Sequence, residues 1–166
     1  MLSRLAVLAG AVLMLAACSN TPPPDPNAGA GGPGGPGGPG GAGAGRFGPG
    51  SQQDLAQTAG DRVFFAYDQS TISGEAQQTL QRQAQWLKRY PNVTVTIEGH
   101  CDERGTREYN LALGERRAQA VKNVLVSLGI PTARVQTISY GKERPEIPHS
   151  DDQSYAQNRR GVTTVN

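Results

Sequence analysis

Strand-like and helix-like patterns of apolar residues alternate along the second part of the chain. Residues 63–67 form a short run rich in aromatic and β-branched side chains, which predicts a strand. Residues 93–98 alternate strictly between apolar and polar side chains, the pattern of a strand with one buried face. Residues 135–140 and 161–165 have similar composition, so the pattern predicts four strands.

The first segment between these strands has the apolar spacing of an amphipathic helix. Apolar side chains recur at intervals of three or four residues from Ala76 to Leu87, after a helix-start signal at residues 70–73. Pro91 ends the helix, because a proline disfavours helical geometry in the residue before it.

A second and longer helix is predicted from Arg107 to Leu128. Gly129 and Pro131 follow it, and both residue types are common just beyond a helix end. Its apolar stripe consists of Leu111, Gly114, Ala118, Val121, Leu125 and Leu128.

The order of these elements, βαβαββ-like, predicts the fold class. Helices that alternate with strands pack their apolar stripes on a sheet, so we expect an α/β two-layer sandwich with the helices on one face of a mixed sheet. Residues 61–166 contain all of these elements and are enough for one hydrophobic core. We therefore predict one folded domain over 61–166.

The first residues of the chain follow another pattern. Arg4 precedes an apolar run over residues 5–17, which is too short for the roughly 20 residues of a membrane-spanning helix but suits a secretory signal peptide. The run ends in small residues before Cys18 and resembles the lipobox of bacterial lipoproteins, in which the cysteine is lipidated. We expect a lipoprotein signal peptide at 1–17 and lipid on Cys18; an ordinary signal peptide with an incidental cysteine is the alternative. Ser19, where Asp would favour the inner membrane, indicates the outer membrane.

Residues 18–60 join the predicted lipid to the predicted domain. They are dominated by Gly and Pro, with three GGP repeats over 31–39, and have few apolar residues that could form a core. So few repeats do not make a collagen triple helix. We predict a disordered tether that lets a membrane-anchored protein reach a second surface with its domain.

Charge and cysteine content narrow the range of functions. The net charge of +2 is far from the strong basic surface of a nucleic-acid binder, so we expect no nucleic acid as a partner. Of the two cysteines, Cys101 has no partner for a disulfide if Cys18 carries lipid. The domain must then be stabilised by its own core.

Residues 99–110, GHCDERGTREYN, concentrate the reactive side chains of the domain. A cysteine protease is improbable, because His100 and Cys101 are neighbours and would point to opposite faces of a continuing strand. His149 lies in a Pro-flanked loop with no apparent orienting residue. One Cys beside one His also lacks the spacing of zinc ligands, so we expect no metal.

Acidic residues in and before the same stretch leave one enzymatic alternative. Glu98, Asp102 and Glu103 could supply the paired carboxylates of a wall hydrolase. They come from one short segment rather than from facing walls of a cleft, which weakens this alternative without excluding it. We expect a protein that is not an enzyme and uses no cofactor.

The second helix places one arginine beside its apolar stripe. At 100° per residue, Arg117 lies roughly 55° from the centre of the stripe, whereas Arg116 lies about 155° away. Asn110 is two turns earlier on the same flank as Arg117. Two hypotheses remain open: a structural ion pair between Asp102 and Arg117, or a pair of opposite charges that both face a ligand with an amine and a carboxylate.

The spacing of these residues resembles the OmpA-like peptidoglycan-binding domain family, whose members include the peptidoglycan-associated lipoproteins. The resemblance covers nearly all of residues 61–166, and the lipobox and tether add to it. Its motif residues are Phe65, Tyr67, Asp68, Gly99, Asp102, Gly105, Asn110, Leu113, Arg117, Ala118, Val121, Leu125, the run 139–143 and the run 158–160.

This resemblance implies non-covalent binding of peptidoglycan through the diaminopimelate of its stem peptides. By motif position, Asp102 would bind the ligand's ammonium and Arg117 its carboxylate. Neighbours in the pocket would be Asn110, Leu113, His100 and Asp68. The resemblance also implies an outer-membrane lipoprotein of the Tol-Pal system, active in envelope integrity and cell division, with TolB and other Tol proteins as partners.

Overall fold

The computed structural model describes residues 48–166; the predicted signal peptide, Cys18 and the tether up to residue 47 lie outside the described residues. Helices and strands alternate along the described part. In chain order they are α1 (Gln52–Thr58), β1 (Arg62–Phe64), α2 (Gly74–Arg89), β2 (Val95–His100), α3 (Arg107–Ser127), β3 (Val135–Gly141), α4 (Asp152–Asn158) and β4 (Arg160–Val165).

The four strands form one mixed sheet in the order β1-β4-β2-β3. β4 lies between β1 and β2 and is antiparallel to both, whereas β2 and β3 are parallel. The predicted fold class, an α/β sandwich of helices on a mixed sheet, is confirmed. The parallel pairing puts α3 in the crossover between β2 and β3, and this helix packs on both strands.

Both predicted helices form, and each begins at a side-chain cap. The hydroxyl of Ser73 accepts a hydrogen bond from the backbone N–H of Ala76 at the start of α2, and Thr106 does the same for Tyr109 at the start of α3. The apolar stripes of the two helices bury themselves in the core, with one error in the prediction. Leu111, in the first turns of α3 beside the edge strand β3, is 49 % exposed.

The predicted boundary between tether and domain at residue 61 is too late. Residues 52–58 form α1, which Ser51 caps, and Leu55 is fully buried in the core. The indole Nε1–H of Trp86 donates to the carboxylate of Asp54 at 3.0 Å and ties α1 to α2. The prediction extended the tether through this short helix because the preceding residues are rich in Gly and Pro. Its capping residue Ser51 and its apolar residue Leu55 are nevertheless visible in the sequence.

Three smaller differences separate the prediction from the structure. Helix α4, between β3 and β4, was not predicted, since its sequence DQSYAQN has no apolar stripe. β1 ends at Phe64, earlier than predicted, and β2 runs from Val95 to His100, two residues later than predicted. Among the described helices, none is both long and apolar enough to cross a membrane.

Candidate functional site

A cavity of about 250 Å³ opens beside the carboxyl end of β2. The loop after β1, the loop after β2 and the first turns of α3 meet there. Its lining carries side chains of both charges, namely Asp68, Asp102, Arg104, Arg117 and Arg159. A ligand in this space would therefore meet carboxylates and guanidinium groups together.

Asp102 is the second residue after β2, and its side chain is almost completely buried. Its Oδ2 accepts hydrogen bonds from Nη2 of Arg104 at 2.7 Å and from Nη1 of Arg159 at 3.2 Å. Burial acts to raise the pKa of the Asp102 carboxyl, but the hydrogen bonds from Arg104 and Arg159 outweigh it. The pKa therefore lies below its ordinary value of 3.8, and Asp102 is a carboxylate at neutral pH.

Arg117 is fully buried at the wall of the same cavity. Its guanidinium donates to three backbone carbonyl oxygens, those of His100 at 2.7 Å, Gln69 at 2.8 Å and Ala66 at 3.2 Å. A guanidinium has five N–H donors, so about two remain for another acceptor. Burial lowers the pKa of Arg117 from its ordinary value.

The hypothesis of a direct ion pair between Asp102 and Arg117 is wrong for this structure. Asp102 pairs with Arg104 and Arg159 instead. The reason is that backbone carbonyls from the loop after β1 and from the end of β2 converge on Arg117 and take its hydrogen bonds. Asp102 and Arg117 nevertheless line one cavity, which is the geometry that the second hypothesis requires.

The loop between β2 and α3 is shaped by its own sequence. Gly105 has a φ of +91°, a conformation that glycine adopts without a steric penalty. The side-chain amide of Asn110 donates to the carbonyl of Arg104 at 2.8 Å and to that of Thr106 at 3.0 Å. Asn110 is buried, so it fixes the loop from inside and thereby positions Asp102.

Asp68 and Tyr109 are exposed residues that also line the cavity. The hydroxyl of Tyr109 donates to the carboxylate of Asp68, which links the loop after β1 to α3. Asp68 has a φ of +55°, an uncommon conformation for a residue other than glycine. This strained backbone turns the chain at the cavity mouth, and strained residues of this kind concentrate at functional sites.

The remaining predicted neighbours divide between the cavity wall and the far side of the sheet. Leu113 is buried and contributes an apolar part of the wall, next to Cys101. The thiol of Cys101 donates to the carbonyl of Asn110 at 3.3 Å, and burial raises its pKa, so it stays protonated. Cys101 is thus a small buried residue without the character of a nucleophile.

His100 does not share the cavity, contrary to its predicted place among the pocket neighbours. Its imidazole lies on the other face of the sheet, where Nε2 is 3.3 Å from Glu98 and the ring packs against Tyr140. The alternation of side chains along a strand requires this, because Cys101 already faces the cavity. Only the backbone carbonyl of His100 contributes, as an acceptor for Arg117.

Comparison with known proteins assigns the chain to a family. The model of the OmpA family matches residues 64–159. A peptidoglycan-associated lipoprotein of Agrobacterium fabrum is 59 % identical over 122 residues, which cover 74 % of this chain and 69 % of the relative. The chain belongs to the peptidoglycan-associated lipoproteins of the OmpA family. Its counterpart from Mesorhizobium japonicum is 48 % identical over 155 residues, or 93 % of this chain and 87 % of the relative.

Two solved structures share the fold. The peptidoglycan-associated lipoprotein of Burkholderia pseudomallei aligns with a TM-score of 0.62 and 42 % identity, over 64 % of this chain and 90 % of that one. The C-terminal domain of Helicobacter pylori MotB aligns with a TM-score of 0.60 at 21 % identity, covering 64 % of this chain and 84 % of that one. The second likeness concerns the fold alone.

Two arginines of the site were not among the predicted site residues. The sequence indicates Arg159 only as part of the motif run 158–160, and it does not distinguish Arg104 from the other charged residues of 99–110. Arg159 reaches Asp102 from 57 positions away in sequence, so local spacing could not have identified it. Arg104 lies two residues after Asp102 and could have been recognised as a local ion-pair partner.

The acids of the hydrolase alternative do not converge. Asp102 lines the cavity, Glu98 lies beside His100 on the other face of the sheet, and the carboxylate of Glu103 accepts a hydrogen bond from Tyr155 at 2.7 Å. A glycosidase needs two carboxyl groups that flank one bond, one of them with a raised pKa. Within residues 48–166, no group of three His, Cys, Asp or Glu side chains is arranged to hold a metal ion.

His100 gives the domain a testable pH dependence. Burial and the nearby charge of Arg160 lower the pKa of His100 below its ordinary 6.5, although Glu98 acts in the opposite direction. The unfolded chain therefore takes up a proton near pH 6.5, while the folded chain does so only at lower pH. The free energy of unfolding should fall as pH drops from about 6.5 towards the folded pKa.

Urea unfolding at about pH 7.5 and about pH 5.5 measures this dependence. His100→Asn should make the difference between the two pH values smaller, whereas His149→Asn, at an exposed position, serves as the matched control and should leave it unchanged. An equal pH dependence in wild type and His100→Asn would contradict the assignment.

Proposed function

We propose that this protein is an outer-membrane lipoprotein that binds peptidoglycan non-covalently through the diaminopimelate of the stem peptide. Asp102 receives the ammonium at the zwitterionic end of that residue, and Arg117 receives the neighbouring carboxylate. Asn110, Leu113 and Asp68 shape the pocket around it. Peptidoglycan bound at this pocket and the lipid on Cys18 together anchor the outer membrane to the cell wall.

The observation that carries this proposal is the meeting of opposite charges at one small cavity. Asp102 is ionised, and Arg117 keeps about two N–H donors in addition to those that it donates to carbonyls. Charge-assisted hydrogen bonds to both ends of a zwitterion would each be worth roughly 1.5 to 3 kcal/mol. A ligand with only one of the two charges would lose one of these sets of bonds.

The location and the partners rest on the sequence and on the relatives. The lipobox-like residues before Cys18 and the name lipoprotein carried by the relatives support a lipid anchor on Cys18. A domain in the periplasm on a Gly/Pro-rich tether could reach the wall from the outer membrane. We further propose that it works in the Tol-Pal system during envelope constriction, with TolB competing for the same face.

Co-sedimentation with purified peptidoglycan sacculi tests the site. The chain from residue 18 onward with Cys18→Ser, which can carry no lipid, should pellet with sacculi. Asp102→Asn should weaken this binding by about tenfold or more, because the ligand's ammonium loses its ionic partner. Asp152→Asn, an exposed acid outside the cavity, is the matched control and should bind like wild type.

Release by small molecules then identifies the ligand chemistry. Free meso-diaminopimelate should release the protein from sacculi, whereas pimelate, which lacks the ammonium groups, and 1,5-diaminopentane, which lacks the carboxylates, should not. Equal pelleting of wild type and Asp102→Asn would refute the site assignment. Soluble muropeptides appearing during the incubation would favour the hydrolase alternative instead.

A further inference from the structure

The carboxylate of Asp102 is already fully occupied by protein donors. Its Oδ1 accepts from the backbone N–H of Arg104 at 3.2 Å and from Nε of Arg104 at 3.3 Å. Its Oδ2 accepts from Nη2 of Arg104 at 2.7 Å and from Nη1 of Arg159 at 3.2 Å. A carboxylate offers about four lone-pair sites. An incoming ammonium group therefore has to displace one of these donors.

The two arginines differ in how firmly they are held. The side chain of Arg159 is 15 % exposed, and its Nε also donates to the carbonyl of Phe65 at 3.0 Å. The side chain of Arg104 is 37 % exposed, and within residues 48–166 its guanidinium donates to Asp102 alone. Arg159 is therefore a fixed part of the site, and Arg104 is the donor that can leave.

Two aromatic rings hold Arg104 in this position. The guanidinium carbon lies 4.1 Å from the ring centroid of Tyr67 and 4.5 Å from that of Tyr155. Such cation–π contacts are individually weak at exposed sites. Together with the ion pair to Asp102, the two rings hold the guanidinium of Arg104 where the ligand's ammonium would bind. The side chain of Arg104 can still move out towards solvent, because it is partly exposed.

We propose that Arg104 is a built-in competitor for Asp102 and that it sets the specificity of the site. This inference rests on the proposed function, in which Asp102 binds the ligand's ammonium. A simple amine that displaces Arg104 exchanges one cation for another and gains little. A zwitterionic ligand gains in addition the donors of Arg117, so it can displace Arg104 where a simple amine cannot.

Removal of the competitor should strengthen binding. We use the chain from residue 18 with Cys18→Ser and measure binding of free meso-diaminopimelate by calorimetry. Arg104→Gln is expected to bind it about three- to tenfold more tightly than the same chain with Arg104. Binding of 1,5-diaminopentane should become detectable. Arg104→Lys keeps the competing charge and should remain closer to wild type. Tyr155→Leu, outside the cavity lining, should give a smaller gain because it loosens Arg104.

Arg107→Gln is the matched control, since it removes an exposed arginine of the same loop–helix segment that pairs with Glu143 and does not line the cavity. NMR of the Arg104 guanidinium gives a second readout. Its Nε–H signal, shifted by the two ring faces in the free protein, should lose that shift when diaminopimelate is bound. A signal that keeps the shift at saturation would overturn the proposal.

The failure of this proposal is distinguishable from failure of the proposed function. If wild type binds sacculi and diaminopimelate, but Arg104→Gln and Tyr155→Leu bind no more tightly, competition by Arg104 is refuted and the site assignment stands. If neither wild type nor any variant binds, both proposals are refuted. Weaker binding by Arg104→Gln would make Arg104 a ligand contact rather than a competitor.

Discussion

Arg117→Ala is expected to lower the free energy of unfolding by about 2 to 4 kcal/mol, a large effect for a charged residue that the helix periodicity puts at the edge of the core. The substitution removes the guanidinium donors from the carbonyls of Ala66, Gln69 and His100, although that of Ala66 still accepts from the backbone N–H of Gln69 at 3.2 Å. It also empties the space of a large, fully buried side chain whose guanidinium lies 5.2 Å from the ring of Phe65. Unpaired polar groups and an unfilled cavity both destabilise the folded state.

The neighbouring arginine supplies the matched control. Arg116 is exposed, and Arg116→Ala should change the free energy of unfolding by less than about 0.5 kcal/mol. Urea unfolding followed by the fluorescence of Trp86, which is buried in the core, measures both variants. If Arg117→Ala were as stable as Arg116→Ala, the three carbonyl contacts would contribute nothing to the fold.

Arg117→Ala is therefore a poor test of the binding site. Loss of wall binding in Arg117→Ala would follow from unfolding as readily as from a lost ligand contact. Arg117→Lys is no better, because a lysine ammonium cannot reach three carbonyls that a planar guanidinium bridges. Asp102→Asn keeps the shape of the side chain and is therefore the more informative substitution for binding.

The helix periodicity predicted the place of Arg117 but not its partners. An angle of roughly 55° from the apolar stripe correctly put Arg117 at the edge of the core and Arg116 in solvent. Its acceptors are backbone carbonyls, which every residue has, so no residue type in the sequence marks them. For this reason the sequence could not decide between the two hypotheses, and the one with an ion pair between Asp102 and Arg117 is wrong.

The assignments taken from residue spacing and from family motifs had different outcomes. Strand alternation alone separates His100 from Cys101, and the structure follows it, whereas motif position had placed His100 in the pocket. Asp102, Asn110 and Leu113 do line one cavity, as the motif implied. Their role in ligand binding stays a prediction.

Gly99→Ala is the second substitution for which we expect a large effect. A methyl group on Gly99 would lie 1.8 Å from the carbonyl oxygen of Gly114 and 2.5 Å from its carbon. Both are backbone atoms of α3, so no side-chain rotation can relieve the clash, and α3 must move away from β2. The free energy of unfolding should fall by about 3 kcal/mol or more. Gly74→Ala is the matched control, because a methyl group there meets no atom within 4 Å.

The close approach of Gly99 to Gly114 also determines the geometry of the site. Asp102 follows β2 by two residues, and Arg117 lies three residues after Gly114 on α3, so the two charges are positioned by the same helix–strand contact. Any Gly99→Ala protein that folds should bind sacculi more weakly than Gly74→Ala, which should be as stable as wild type or more so by up to about 1 kcal/mol. Unfolding midpoints and co-sedimentation together check this. If Gly99→Ala were as stable as wild type but bound sacculi more weakly, the glycine would position α3 without contributing to its packing. If both its stability and its binding were those of wild type, α3 could approach β2 without this glycine.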